Sequence, residues 1–247
     1  IGGVPLATWL SQNTSWRMAF AAISILGIMT ILALWKALPQ DHDVVKPNVA
    51  KELRVLTRAP VVLALLTTVM SAGAMFALYT YIAPSLHVFM QASPQTITLM
   101  LVLIGIGFSI GNHFGGKFAD LSLEKTLIGF LVLLMVMMLV FPVLAQTTVG
   151  AAIGLVIWGA AAFAVVPPLQ MRVMSVAADA PGLASSVNIG AFNLGNALGA
   201  FAGATVLSMQ LSYAAVSYAG AALSFMALIV VLPQMKFGLS EKACEAI

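Results

Sequence analysis

The feature that most constrains this chain is the spacing of its charges. Between Arg58 and Lys117 lie 58 consecutive residues without a lysine, arginine, aspartate or glutamate; between Lys125 and Arg172 lie 46, and between Asp179 and Lys236 lie 56. A shorter run of 18 separates Arg17 from Lys36. A bilayer core about 30 Å thick is crossed by roughly 20 apolar residues of helix. The short run therefore predicts one span and each long run two. Each long run also weakens near its middle, over Pro84 to Pro94, at Gln146-Thr147-Thr148 and at Met209-Gln210-Leu211-Ser212. The spacing predicts seven complete helices near 17–38, 60–84, 95–116, 126–145, 149–169, 182–208 and 212–233. Composition agrees, because only 8% of the 247 residues are charged against about 25% in a soluble domain. The expected class is an all-α polytopic membrane protein. Soluble enzymes, nucleic-acid binders and disulfide-stapled secreted domains are set aside, and the single cysteine, Cys244, excludes an internal disulfide.

The basic residues orient this threading. Lys36, Lys46, Lys51, Arg54, Arg58, Lys117, Lys125, Arg172, Lys236 and Lys242 fall on one side and Arg17 alone on the other. By the positive-inside rule the 36–58 loop and the C-terminus are expected to be cytoplasmic. The net charge of +3 is thus read as topology, not as affinity for nucleic acid. Ile1 to Leu10 is apolar and glycine-rich and lacks a basic n-region, so it does not read as a signal peptide. It is expected to be the end of a further, partial span that closes near Ser11 to Ser15.

Few segments carry chemical information. In the loop from Pro39 to Arg58, Val49, Leu53 and Leu56 recur at i, i+4 and i+7, with Lys51, Arg54 and Arg58 off that stripe. That pattern suits either a short amphipathic helix along anionic headgroups or a solvated linker. Asp179-Ala180-Pro181-Gly182 reads as a helix start, with an acid near the positive end and proline in the first turn. In the helix that follows, Asn188, Phe192, Gly195, Asn196, Gly199 and Gly203 share one arc at about 100° per residue. Val187, Leu194, Leu198 and Phe201 lie opposite. Gly195, Gly199 and Gly203 repeat at i+4, which permits close helix packing. Amides facing lipid are costly, so Asn188 and Asn196 face protein or a water-filled cavity, either as staples between helices or as part of a substrate path. Tyr79 and Tyr81 read as interface anchors or pathway residues. Pro167-Pro168 must bend or end its helix, and Gln170 beyond it is placed to satisfy a freed carbonyl. Asn112 and His113 lie near a helix end. No acid or base is expected deep within a complete span. His42, His87 and His113 are dispersed, so an intramembrane active site or metal centre is not expected.

Gly116-Lys117-Phe118-Ala119-Asp120 resembles the G-x-L-A-D signature of the major facilitator superfamily. Leu121, Leu123 and Glu124 then stand where arginine, glycine and a basic residue are usual, and Lys125 keeps the basic end. Gly3-Val4-Pro5-Leu6-Ala7 looks like the end of the glycine–proline motif in helix 5 of that superfamily's antiporters. The strings GGVPLATWL, LYTYIAP, LVLIGIGFSIGN, WGAAAFAVVPPLQMRVM and GLASSVNIGAFNLGNALGA are similar to its drug:proton antiporter-1 group, the arabinose-efflux-permease-like members above all.

The resemblance implies a partial helix 5 plus helices 6–12. Residues 1–38 would close the N-terminal half, 39–58 would form the cytoplasmic central loop, 59–235 the C-terminal six-helix half, and 236–247 a cytoplasmic tail. Substrate in such folds sits near the midplane between halves. The implied function is proton-coupled efflux of a small molecule of drug, sugar or nucleoside type by alternating access. The chain would be a monomer in the bacterial inner membrane, with no cofactor, no nucleic-acid partner and no enzymatic activity, and the coupling acid would lie in the N-terminal half. Substrate-path candidates are Tyr79, Tyr81, Gln170, Asn188, Phe192, Asn193 and Asn196. Gly3, Pro5, Gly116, Asp120 and Lys125 are the motif and gating candidates. Uptake or facilitated diffusion on the same fold is the alternative, with a seven-helix receptor and a membrane-embedded enzyme more remote.

Overall fold

The computed structural model describes residues 6, 10–11, 14–37 and 49–244. Gly3 and Pro5, and with them most of the partial span, lie outside the described residues. Among the described residues ten helices follow in order: α1 (Trp16–Ala37), α2 (Val49–Leu56), α3 (Ala59–Tyr79), α4 (Ile82–Met90), α5 (Pro94–Leu121), α6 (Leu123–Leu144), α7 (Thr148–Ala164), α8 (Val166–Val176), α9 (Pro181–Ser208) and α10 (Tyr213–Cys244). Seven spans are long and apolar enough to cross a membrane, with α7 and α8 together forming one, Thr148–Val176. All seven expected helices are present.

The first hairpin departs from expectation. Its leading helix stops at Tyr79 rather than near residue 84, and α4 occupies most of the stretch read as a connection. Pro84 is the cause. Its ring clashes with the carbonyl four residues back, that of Thr80, and it offers no donor. The chain turns at Thr80–Tyr81, and Pro84 lies in the first turn of α4, where no N–H is required. The true reversal falls at 91–93. Gln91 adopts a left-handed φ of 53°, and Ser93 caps α5 by accepting from the Thr96 N–H at 3.2 Å. Pro167-Pro168 acts in the same way, so the break falls at Val165 and the prolines enter the first turn of α8. The span therefore runs on to Val176 rather than ending near residue 169.

Two further expectations are corrected. The helix expected to end near residue 116 continues to Leu121, so the Gly116–Asp120 motif is its last turn rather than a loop between helices. Ala119 is buried there, and no proline interrupts the apolar repeat. Ser122, at φ −162° and ψ 100°, alone separates α5 from α6. The polar loop does form a helix, α2, whose most buried residue among the described side chains, Val55, lies off the Val49–Leu53–Leu56 stripe. Val55 is 1% exposed while Leu53 is 51% exposed. Val55 packs with Val61, Ala64, Val173, Ala177, Ala180 and Ala184, with Leu56 partly buried against them, so α2 docks on the bundle. The helix start expected at Asp179–Gly182 is present, with α9 beginning at Pro181; the Asp179 carboxylate accepts from Arg58 Nη1 at 2.7 Å, tying the α2–α3 junction to the α8–α9 turn.

In the bundle, α3 packs against α9 and α10, α5 against α7, and α6 against α7 and α10. The main core joins Leu78, Met100, Ile104, Leu134, Met138, Phe141, Leu155 and Trp158. Two buried serines close the outer pairs: Ser217 donates to the Met138 carbonyl at 2.5 Å and Ser224 to that of Leu131 at 3.0 Å. In α1 only Ala19 is buried against the described residues.

Candidate functional site

The α7–α8 break places Gln170 beside α9, where a polar cluster crosses three helices. Thr68 of α3 donates to Asn188 Oδ1 at 2.8 Å, and Asn188 Nδ2 donates to Gln170 Oε1 at 2.6 Å. Gln170 Nε2 then donates to Ser185 Oγ at 2.6 Å. Gln170 thus serves this side-chain cluster, not the freed carbonyl expected of it. Asn188 is 5% exposed and Thr68 fully buried, so water does not compete for the bond between them. In such surroundings an unmade hydrogen bond is costly, and the cluster fixes the rotamers of both amides.

The cluster forms the polar edge of a cavity of about 240 Å³, lined by Phe163, Val166, Leu169, Gln170, Asn188, Ile189 and Phe192. No lining side chain is charged. By the carboxamide inventory, Asn188 retains one N–H and each amide oxygen one lone pair. An apolar ring pocket with two neutral, oriented amides suits a small molecule bearing an apolar group beside one hydrogen-bonding function. It offers nothing for acid–base or nucleophilic chemistry. Among the described residues no three of His, Cys, Asp or Glu gather as a metal site would need.

The other candidates are distributed as follows. Tyr79 is half-buried and stacks on Trp158 at 6.3 Å and 15°. It reaches the cavity only through Phe108, whose ring lies 5.8 Å from Tyr79 and 4.0 Å from Phe163. Tyr81 is committed elsewhere, with its hydroxyl donating to the Ala200 carbonyl at 2.9 Å. Asn193 is exposed and donates to its own helix at the Ile189 carbonyl, at 2.9 Å. Asn196 stands apart from the cavity, with a buried Oδ1 that has no partner among the described residues. Gly195 and Gly199 lie against the α3 backbone, at Val69 and Gly73 respectively, and Gly203 against the Tyr81 ring. At the far end of α5 and the start of α6, Asp120 and Lys125 are exposed and Gly116 has open space beside it.

Sequence reasoning missed three participants and misjudged a fourth. Ser185 shares the Asn188–Phe192 face at i−3 and i−7, a spacing that could have revealed it. Thr68 and Phe163 carried no such signal. Arg172 was read as a basic residue that only sets topology. It is 6% exposed inside the Thr148–Val176 span, donates from Nη2 to Gln234 Oε1 at 2.8 Å, and leaves Nε and Nη1 without partners among the described residues. Because the span extends past Pro168, Arg172 falls inside it, near its Val176 end rather than deep within it.

A bundle of seven apolar spans, strand-free among the described residues and carrying a neutral, partly open cavity, defines a polytopic all-α membrane protein. Comparison with known proteins makes this specific. The sequence pattern of the Major Facilitator Superfamily matches residues 1–203, and the chain belongs to that family. It is 59% identical over 231 residues to the protein named "Inner membrane transport protein YdhP" of Escherichia coli K12, covering 94% of this chain and 59% of that protein. It is 32% identical over 228 residues to "Uncharacterized MFS-type transporter YfhI" of Bacillus subtilis, covering 92% and 57%. The chain therefore spans just under three-fifths of the length of these relatives.

Proposed function

We propose that this chain is the larger part of a secondary transporter that exports a small molecule by alternating access, driven by the proton gradient. The Thr68–Asn188–Gln170–Ser185 cluster at the edge of the neutral cavity carries the reading. Polar groups fixed on three spans of a superfamily whose substrates bind between helical halves supply one wall of such a site. This wall takes an uncharged, partly aromatic portion of the substrate, with Phe163 and Phe192 as its apolar faces and the amides as its polar contact. The relatives' names support transport across an inner membrane, and the run of basic residues supports a cytoplasmic C-terminus. The protein acts as a monomer, without a cofactor, and not as an enzyme.

The test is substrate-dependent dissipation of a proton gradient in inside-out vesicles from cells expressing the intact gene, across drugs, sugars and nucleosides. Asn188→Ala and Gln170→Ala are expected to lower kcat/KM at least tenfold for the responding substrate, with rates normalised to the amount of folded protein. Activity equal to wild type in both variants overturns the assignment of this wall. Accumulation without proton movement overturns the coupling.

A further inference from the structure

A second cavity, which shares no lining residue with the first, lies where the last turn of α5 meets the start of α6. We propose that this corner is a binding site for one anionic glycerophospholipid with a singly charged headgroup, the phosphatidylglycerol class. The groove measures about 360 Å³ and is lined by Phe118, Lys125, Thr126, Gly129, Phe130 and Leu133. Its floor is a column of rings: Phe114 and Phe118 are 5.8 Å apart at 29°, and Phe118 and Phe130 are 6.3 Å apart at 21°. Lys125, Gly129 and Leu133 follow at i, i+4 and i+8, a stripe about 12 Å long at 1.5 Å per residue. Gly129 keeps the stripe open, for no atom lies within 4 Å of where its side chain would begin. A headgroup at Lys125 thus has an acyl-chain path running inward from it.

The polar mouth favours a phosphate. Among the described residues Lys117 and Lys125 are exposed and make no ion pair. The Thr126 hydroxyl has no hydrogen-bond partner among them either, whereas Thr67, Ser71, Thr98 and Ser109 each bond the carbonyl four residues back. The first turn of α6 also starts here with no side-chain cap, which leaves its N–H groups open to a negative group. Two acids share the corner, Asp120 and Glu124, and the Glu124 charge acts on buried Arg172. Lys117, Lys125 and Arg172 against Asp120 and Glu124 leave one positive charge. A phosphodiester monoanion neutralises it, while a zwitterionic headgroup brings an ammonium against two lysines. Basic pockets between spans at the basic end of a membrane protein are suited to anionic lipid.

Native mass spectrometry of the protein released from nanodiscs of equal phosphatidylglycerol and phosphatidylethanolamine tests this. Wild type is expected to retain one phosphatidylglycerol in preference to the zwitterionic lipid. Lys125→Gln should reduce that retention about fivefold, and Gly129→Leu should reduce it with both lysines intact by filling the groove. Lys36→Gln removes a charge at the same end but outside the groove and should leave retention unchanged. Equal retention of the two lipids overturns the proposal. So does wild-type retention in both Lys125→Gln and Gly129→Leu, an equal loss in Lys36→Gln, or a lipid-free dimer showing that a second copy covers the groove.

Discussion

A methyl group at Gly199 should cost far more than one at Gly190 on the same helix. A Cβ built on Gly199 would lie 2.9 Å from both the Ala77 nitrogen and the Gly73 carbonyl carbon, and closer still to the Gly73 oxygen. Ordinary contact begins near 3.4 Å, and every obstacle is backbone, so no rotamer change relieves it. The helices α3 and α9 would have to part by several tenths of an ångström. A gap of 0.5–1 Å forfeits a quarter to a half of each atomic contact along the pair, and overpacking of this kind typically costs about 1–3 kcal/mol. At Gly190 nothing lies within 4 Å. Alanine gains a similar helix propensity at both sites, about 1 kcal/mol over glycine, so the difference between the variants isolates the steric term. We expect Gly199→Ala to be less stable than Gly190→Ala by about 2 kcal/mol, roughly 30-fold in the unfolding constant. Reversible unfolding in mixed SDS and mild-detergent micelles, followed by circular dichroism, measures it. Equal midpoints for the two variants would refute the claim that α3 and α9 meet backbone to backbone.

Three further outcomes follow from named contacts. Gly203→Ala should destabilise through the Tyr81 ring, a side chain rather than backbone; Tyr81→Ala should therefore be less than additive with it, read by the same unfolding cycle. Thr68→Ala should cost about 1–3 kcal/mol by leaving the buried Asn188 Oδ1 without its donor, and Asn188→Ala a similar amount by removing the donor to Gln170 Oε1; the two midpoints compare directly. Arg58→Ala and Asp179→Ala remove an ion pair whose side chains are 54% and 57% exposed; each should shift stability by less than about 1 kcal/mol, and the shift should vanish in high salt.

The number and order of the spans were legible because a charge inside lipid is prohibitive, so uncharged runs mark helices directly. The interior breaks were not. At Pro84 and at Pro167-Pro168 the helix fails two to four residues before the proline, at Thr80–Tyr81 and at Val165, because the clash falls on the carbonyl of the preceding turn. Reading the proline as the boundary misplaces both. That displacement hid Arg172 within a span and made the α4 stretch look like loop. The polar cluster was half legible. Asn188 and Gln170 stand out in apolar runs, but Thr68 does not, since threonine in a spanning helix ordinarily satisfies its own backbone; here Thr68 does so weakly, at 3.3 Å to the Ala64 carbonyl, and reaches Asn188 as well. The second glycine ladder went unread. Gly107, Gly111 and Gly115 on α5 abut the backbone of α7 at Val156, Ala160 and Ala164, and their i+4 spacing was as visible as that of Gly195, Gly199 and Gly203.

The two glycine ladders bear on how the bundle moves. They weld α3 to α9 and α5 to α7 by backbone contact, and Ser217 and Ser224 tie α10 to α6. Sliding any one of these helices alone would drive backbone against backbone or strand a buried hydroxyl. The amide cluster spans α3, α8 and α9, so a substrate touching it loads several welded elements together. Under alternating access the unit should therefore reorient as one body, with internal change confined to Thr80–Tyr81 and Val165, where the helical ladder is already interrupted. Hydrogen exchange by mass spectrometry during turnover tests this. Peptides across those two breaks should change protection with substrate and proton gradient, while Gly195–Gly203 and Gly107–Gly115 stay protected throughout. Substrate-dependent exchange within either ladder would show the helices parting, and rigid-body motion would then be wrong for this bundle.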